Sequence, residues 1–421
     1  MADDIQQLVR TAKAAVNAGR WNEAELVWTE VRRRDPKNAR AAFSLGIHAM
    51  QRKDFPAACT LLQEARLANP TDLFTLLSLA KARRENRDDA GEAEALDSAL
   101  AVDPYYLPAL LGKGQRFERL GVQPSAALFY RNAVKVAPPQ AYWPEMLRSQ
   151  LEHAKTYFER YATGMGASLD AALKPMLSAI TPEAAGRWRE AASIMAGLTT
   201  PYRQEANQLY VPRLPAIPFY DRSMFPWAAA LEAKTDVIRE ELKAALVKEG
   251  KEFTPYINVR AGQPVDQWQD LNHSTRWSHY SLWRGGQPDE AHLAQCPETR
   301  KALEAIDMAE IGGLCPNAMF SALAPHTEIP PHTGETNARL VAHLPLVVPE
   351  KCTYRVGFEH RTWKEGELLV FDDTIEHTAR NDSDELRVIL IFDIWNPLLA
   401  KEERDIVRAL AAAARDFNKV G

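Results

Sequence analysis

Prolines stand at Pro36, Pro70, Pro104 and Pro138, an interval of 34 residues repeated three times. That interval is the period of the tetratricopeptide helix pair, and a chain that repeats at it must stack two-helix units, because a single unit cannot bury its own apolar face. Small residues fall where the two helices of a unit approach closely: Ala12, Gly46, Ala80 and Gly114 on the first helix, Ala24, Ala58 and Ala126 on the second. A further small set, Ala65, Ala99 and Ala133, lies five residues before the recurring proline, while Trp28, Leu62, Leu96 and Tyr130 supply the bulk that fills gaps between units. The first unit places Val31 in that small column and the third carries Glu92 where alanine is usual, a drift that repeats tolerate. Four units are therefore expected, forming an α-solenoid over residues 1–140.

Past Pro139, Leu147, Leu151, Ala154, Phe158 and Tyr161 keep steps of three and four, which predicts an amphipathic helix closing the open end of the solenoid. Further helices are predicted over 169–179 and 181–196, the second announced by Thr181-Pro182-Glu183, an N-cap followed by a first-turn proline. Residues 141–199 thus read as a helical cap and linker. From 200 to 226 the chain is rich in proline and aromatic residues and is expected to run extended over a surface, leading into a second domain over 200–421. A helix from Trp227 to about Glu249 and a closing helix from Lys401 to Asn418 complete the helical reading.

Between Met319 and Trp395 short β-branched and apolar runs alternate with turn signals: 319–323, 339–348, 353–358, 367–371 and 387–395. Such spacing predicts a small β-barrel or jelly roll, and hence a multidomain chain of α plus β class. Two histidines in this region, His332 and His377, with Arg387 following, have the composition of a non-haem iron site with a carboxylate-binding arm. Imidazole suits iron, and the usual oxygenase site adds one acid and leaves positions for a cosubstrate and O2. The acid normally sits two residues after the first histidine, where this chain has Gly334. A chelating 2-oxo acid, oxygen and water would complete six-fold coordination around two imidazoles. Arg387 offers a fork for the far carboxylate of such a diacid, and Ser321 a hydroxyl. Asp372 and Asp373 are alternative acids, read instead as closing the turn after Phe371.

These residues resemble the aspartyl/asparaginyl β-hydroxylase family of Fe(II)/2-oxoglutarate oxygenases. The resemblance runs from about Val265 to Pro397. It is carried by Trp277-Ser278-His279-Tyr280-Ser281-Leu282-Trp283, by Pro331-His332-Thr333-Gly334-Glu335-Thr336-Asn337, and by Arg339-Leu340 with His343-Leu344 and Pro349. It continues through Trp363-Lys364-Glu365-Gly366, Phe371-Asp372-Asp373 with Glu376-His377, and Arg387 followed by Asp393-Ile394-Trp395-Asn396-Pro397. The resemblance implies a double-stranded β-helix (jelly-roll) domain in which His332 and His377 bind Fe(II), and Ser321 and Arg387 hold 2-oxoglutarate. It further implies that His343 faces the cosubstrate or substrate and that Arg339 serves catalysis. Trp277 reads as an aromatic wall beside the cosubstrate. In members that act on aspartyl groups the position of Val341 is basic as well, so a valine there points to a less anionic substrate.

The formal net charge is −5, with no arginine-rich run, so nucleic acid is not an expected partner. No segment approaches the ~20 apolar residues that span a bilayer, and the start, Met1-Ala2-Asp3-Asp4, is acidic rather than a basic head with an apolar run. Four cysteines at 59, 296, 315 and 352 have neither zinc spacing nor disulfide density, which fits a reducing, cytoplasmic setting. The expected activity is hydroxylation of a peptide or protein side chain held by the repeat groove. A small molecule, a carrier-bound amino acid or a lipid is the alternative substrate, and a non-catalytic tetratricopeptide interaction protein the alternative class.

Overall fold

The computed structural model describes residues 2–248 and 253–419, and the chain divides into two compact units, Met1–Thr199 and Thr200–Gly421. The first is helical throughout. Four helix pairs follow one another: α1 (Ala2–Asn17) with α2 (Trp21–Arg34), α3 (Ala39–Gln51) with α4 (Phe55–Ala68), α5 (Leu73–Glu85) with α6 (Asp89–Val102), and α7 (Leu107–Arg119) with α8 (Gln123–Val136). Helices α2, α4, α6 and α8 end at C-caps Asp35, Asn69, Asp103 and Ala137, each immediately before a recurring proline, which cannot continue a helix. Asn38, Asp54, Asp72 and Asp88 accept backbone N–H bonds at helix starts. The need for small residues at the crossings is direct. A methyl group on Gly46 would stand 2.7 Å from the Leu62 side chain, and one on Gly114 would stand 2.5 Å from the Tyr130 ring. Glu92 is buried in place of alanine because Arg119, from the next unit, pairs with it.

The expected helices over 147–161 and 169–179 are one helix, α9 (Glu145–Leu177). Gly164 and Gly166 do not break it, and Gly166 instead leaves room for Leu198 to approach. Helix α10 (Pro182–Ala196) is capped by Thr181 and ends at Gly197, whose φ of 81° is the left-handed conformation that glycine supplies without strain.

The helix expected from Trp227 to about Glu249 is broken instead into α11 (Ala228–Glu232) and α12 (Thr235–Lys248), where the Thr235 hydroxyl donates to the Glu232 carbonyl; Glu249 lies outside the described residues. Helices α13 (Glu290–Gln295), α14 (Pro297–Glu304) and α15 (Lys401–Lys419) follow. The strands are β1 (Phe219–Tyr220), β2 (Thr254–Pro255), β3 (Trp277–Arg284), β4 (Gln287–Pro288), β5 (Ala318–Leu323), β6 (Thr327–His332), β7 (Arg339–Val347), β8 (Cys352–Val356), β9 (Glu359–Arg361), β10 (Leu369–Phe371), β11 (His377–Asn381) and β12 (Arg387–Trp395). They form two antiparallel sheets, one ordered β1-β10-β7-β12-β5-β3-β2 with β4 beside β3, the other ordered β6-β11-β8-β9. Strands β1, β2, β3, β4, β6, β9 and β11 are additional to the five runs anticipated, which became β5, β7, β8, β10 and β12. Pro330 and Pro331 are tolerated in β6 because it is an edge strand, and the polar sequence of β11 disguises it as a loop.

The larger sheet is covered on both faces, which explains why β7 and β12 are apolar almost throughout. Leu340, Ala342, Leu344 and Leu346, with Val388, Leu390, Phe392 and Ile394, pack against Ile238 and Leu242 of α12 and Leu293 and Leu303 of α13 and α14. The alternate residues face the smaller sheet and line a cleft between the two. This second unit is a jelly roll preceded by a tetratricopeptide solenoid, the expected fold class. Among the described residues no helix is long and apolar enough to cross a membrane.

Candidate active site

The cleft holds about 480 Å³ and is lined by every site residue named from the sequence: Trp277, Ser321, His332, Arg339, His343, His377 and Arg387. His332 ends β6 and His377 begins β11, and these two residues are register partners, so the sheet itself sets their imidazoles side by side with ring centroids 4.0 Å apart. Each ring donates Nδ1–H to a backbone carbonyl, Pro330 at 2.8 Å and Ile375 at 3.1 Å, which leaves each Nε2 with its lone pair. Burial lowers the His332 pKa, and burial with the adjacent His332 ring holds His377 well below the usual histidine range. Both are in the neutral form that ligates metals.

No acid follows at the usual place, and the space a side chain at Gly334 would need is filled by Asp373. A methyl group built on Gly334 would overlap the Asp373 carboxylate. The two expected turn-closing acids therefore divide the work. Asp372 closes the turn, accepting from Thr374 N at 3.0 Å and from Gln204 Nε2 at 2.6 Å. Asp373 instead turns into the cleft, pairs with Arg339 at 2.7 Å, and keeps a buried Oδ1 with no hydrogen-bond partner. Among the described residues no group of three or more histidine, cysteine, aspartate or glutamate side chains is arranged to hold a metal. Gly334→Ala should destabilise the second unit by about 1–3 kcal/mol through this overlap; an unchanged denaturant midpoint would contradict the packing.

Arg387 is fully buried on β12, and burial pushes its pKa down to about 10. No carboxylate pairs with it among the described residues, its Nε and Nη1 lack partners, and it lies 4.8 Å over the Trp363 ring. A desolvated cation left without a counter-ion is costly, so a fold that keeps one has room for an anion there. The same Trp363 donates its indole N–H to His343 Nδ1 at 3.2 Å, which fixes the proton on Nε2 as a donor. Burial, with the Arg387 charge, holds His343 neutral, its pKa well below normal. Ser321 accepts from Trp277 Nε1 at 3.2 Å, so its own proton is free to donate, and Trp277 stacks on Tyr256 at 3.9 Å.

Arg339 is surrounded by carboxylates: Asp373 at 2.7 Å, Asp393 at 3.3 Å and Glu335 at 3.4 Å. Arg339, expected from the sequence to serve catalysis, thus lines the cleft with its charge matched by three carboxylates. Three contributors were not assigned from sequence: Asp373, Trp363 and Trp268, whose ring meets His332 edge-on at 5.1 Å. Trp363 lies in a motif quoted for the resemblance, but nothing in its spacing signals contact with two other cleft residues. For a cleft that takes 2-oxoglutarate, as the sequence leads one to expect, Trp363→Phe should raise its KM about tenfold by releasing the His343 tautomer, and steady-state kinetics showing an unaltered KM would sink that assignment.

Residues 232–397 match the sequence model of the family described as aspartyl/asparaginyl beta-hydroxylase. The second unit thus carries a domain that matches this family. Residues 9–72 match the tetratricopeptide repeat. An ornithine lipid ester-linked acyl 2-hydroxylase of Rhizobium tropici is 34% identical over 197 residues, 46% of this chain and 66% of that protein. The human aspartyl/asparaginyl beta-hydroxylase is 34% identical over 182 residues, 43% of this chain and 22% of that protein. The chain thus spans just under two thirds of the first relative and about a fifth of the second. Among solved structures, a MamA protein covers 38% of this chain and 90% of its own, at 18% identity and a TM-score of 0.32.

Proposed function

We propose that the β-hydroxylase domain is an Fe(II)- and 2-oxoglutarate-dependent dioxygenase that hydroxylates a peptide or protein side chain. The observation that carries this reading is one cleft containing two neutral imidazoles with free Nε2 atoms and a buried guanidinium without a counter-ion. The donor set fits a ferrous ion: His332 and His377 would hold it, and the orphaned Asp373 Oδ1 beside Gly334 would offer the site a carboxylate oxygen as hydrogen-bond acceptor. Ferrous iron with 2-oxoglutarate and O2 supplies oxidation of a C–H bond, the keto acid leaving as succinate and carbon dioxide.

The chain's own residues orient and exclude. Arg387 and the Ser321 hydroxyl bind the distal carboxylate, and the His343 Nε2–H donates to the cosubstrate from the side. Trp277, Trp268 and Trp363 wall the site with aromatic surface and keep bulk water from it. Arg339 fixes Asp373. The tetratricopeptide solenoid suits an extended peptide and would raise its local concentration at the cleft. The four cysteines are free thiols, in keeping with a cytoplasmic location.

Two observations favour a second reading, a small molecule or an acyl chain as substrate: the cleft position at Val341 is apolar, and a relative at 34% identity is named for lipid acyl hydroxylation. Succinate release and gain of one oxygen atom by a candidate peptide, read by mass spectrometry, separate the two. Turnover supported by acyl substrates and by no peptide would replace the first reading with the second.

A further inference from the structure

The floor of the cleft is built in transverse rows, and one row places a charge that the site described above does not use. Continuing the strand registers, Arg284 of β3 stands opposite Asn317, Asn317 opposite Asp393 of β12, and Asp393 opposite Val341 of β7. All four line the cleft. Strand β3 reaches this arrangement through a bulge. Trp277, His279 and Ser281 face the cleft in strict alternation, a register shift follows between Ser281 and Trp283, and Trp283 joins Tyr280 and Leu282 in the core on the opposite face. Without the extra residue Trp283 would face the cleft and Arg284 would point away, so the bulge re-aims the arginine. The turn after it is locked by Gly285 and Gly286, with φ of 55° and 83°, and by a bond from Gly285 N to Asn317 Oδ1 at 2.9 Å.

Among the described residues the Arg284 side chain has neither a hydrogen bond nor an ion pair. The acid in its row is already committed: Asp393 Oδ2 accepts from Asn317 N at 2.7 Å and from its Nδ2 at 2.9 Å, and Oδ1 faces Arg339. Arg339, in turn, is enclosed by three carboxylates, and Val341 carries no charge. The free positive charge at this end of the floor is therefore on β3. The Arg284 side chain lines the cleft and is exposed to solvent at the rim. The next row inward, about 7 Å away at two residues per row, is Ser281, Met319, Ile391 and His343, apolar at its centre.

We propose that Arg284 anchors a carboxylate of the substrate, separated from the carbon to be oxidised by an aliphatic segment that lies over Met319 and Ile391. The inference rests on the hydroxylase reading above and adds the substrate's chemistry: an anion at the rim with an apolar stretch behind it. Two sources carry that chemistry, an acidic peptide and an N-acyl amino acid.

The test uses the full chain with Fe(II), 2-oxoglutarate and two matched probe sets. One set is leucine-containing peptides bearing Glu or its amide counterpart Gln; the other is N-acyl glycines and their primary amides. In the set that matches the natural source, the carboxylate form should stimulate 2-oxoglutarate consumption at a concentration at least tenfold below that of the amide. Arg284→Gln should bring that ratio to about one, and Arg284→Lys should retain part of it. The ratio is internal to each variant, so partial unfolding does not mimic its loss. No carboxylate preference in either set, or a preference that persists in Arg284→Gln, overturns the proposal. Failure of the hydroxylase reading is separately visible as absence of 2-oxoglutarate binding to the wild-type protein.

Discussion

Replacing Arg387 with leucine weakens 2-oxoglutarate binding by roughly 2–5 kcal/mol, the range measured when one partner of a desolvated charge pair is removed, or about thirtyfold to several thousandfold. The same substitution leaves the ligand-free protein as stable as before, or more so. These opposite signs are the signature of a binding residue. A structural arginine would be held by an acid and its loss would destabilise the fold, whereas Arg387 is buried with two unsatisfied nitrogens and only the Trp363 ring for support. Exchanging a desolvated ion for a hydrophobic side chain of similar volume is neutral or stabilising. Isothermal titration for affinity and thermal melting for stability read the two effects independently. Weakened folding with unchanged 2-oxoglutarate affinity would assign Arg387 to the core instead.

Removing both imidazoles, in His332→Ala/His377→Ala, abolishes stoichiometric Fe(II) binding and lowers 2-oxoglutarate consumption by three orders of magnitude or more, about 4 kcal/mol or greater in barrier terms. The double change matters because Asp373 remains beside the site with an unpartnered oxygen, and a single remaining imidazole together with it could retain some metal. Metal analysis after gel filtration and succinate release are the measurements. Retained iron at one per chain would show that the metal sits elsewhere.

Much of this was legible in the sequence because the features that carry it are local or periodic. The 34-residue spacing of Pro36, Pro70, Pro104 and Pro138 fixes the helix pairs, since each proline follows a helix end directly. The period of two along a strand likewise puts Arg339, Val341 and His343 of β7 on one face, the face that lines the cleft. What escaped detection depends on contacts between distant segments. That Asp373 occupies the space vacated at Gly334 requires the loop after β10 to lie against the end of β6, which the 200–226 segment secures: Glu205 N bonds the Thr374 carbonyl at 2.7 Å and Asn207 N the Gly334 carbonyl at 3.1 Å. No spacing encodes that closure. Strand β6, carrying Pro330 and Pro331, and polar β11 lack strand composition and exist because they pair with each other and with β8. The joining of 145–177 into one helix, and the break at Ala233 in the helix expected from Trp227, are likewise set by tertiary packing rather than by propensity.

Two neighbouring imidazoles and one buried guanidinium are proposed to build a ferrous 2-oxoglutarate site together. Anaerobic titration of the protein with Fe(II) and then 2-oxoglutarate, followed by visible charge-transfer absorption, tests it most directly. One ferrous ion per chain and a saturable band on adding 2-oxoglutarate are predicted, with the band lost in the double histidine variant and shifted to much higher concentration in Arg387→Leu. A wild-type protein that binds iron but gives no band with 2-oxoglutarate, or a band indifferent to both variants, would contradict the account.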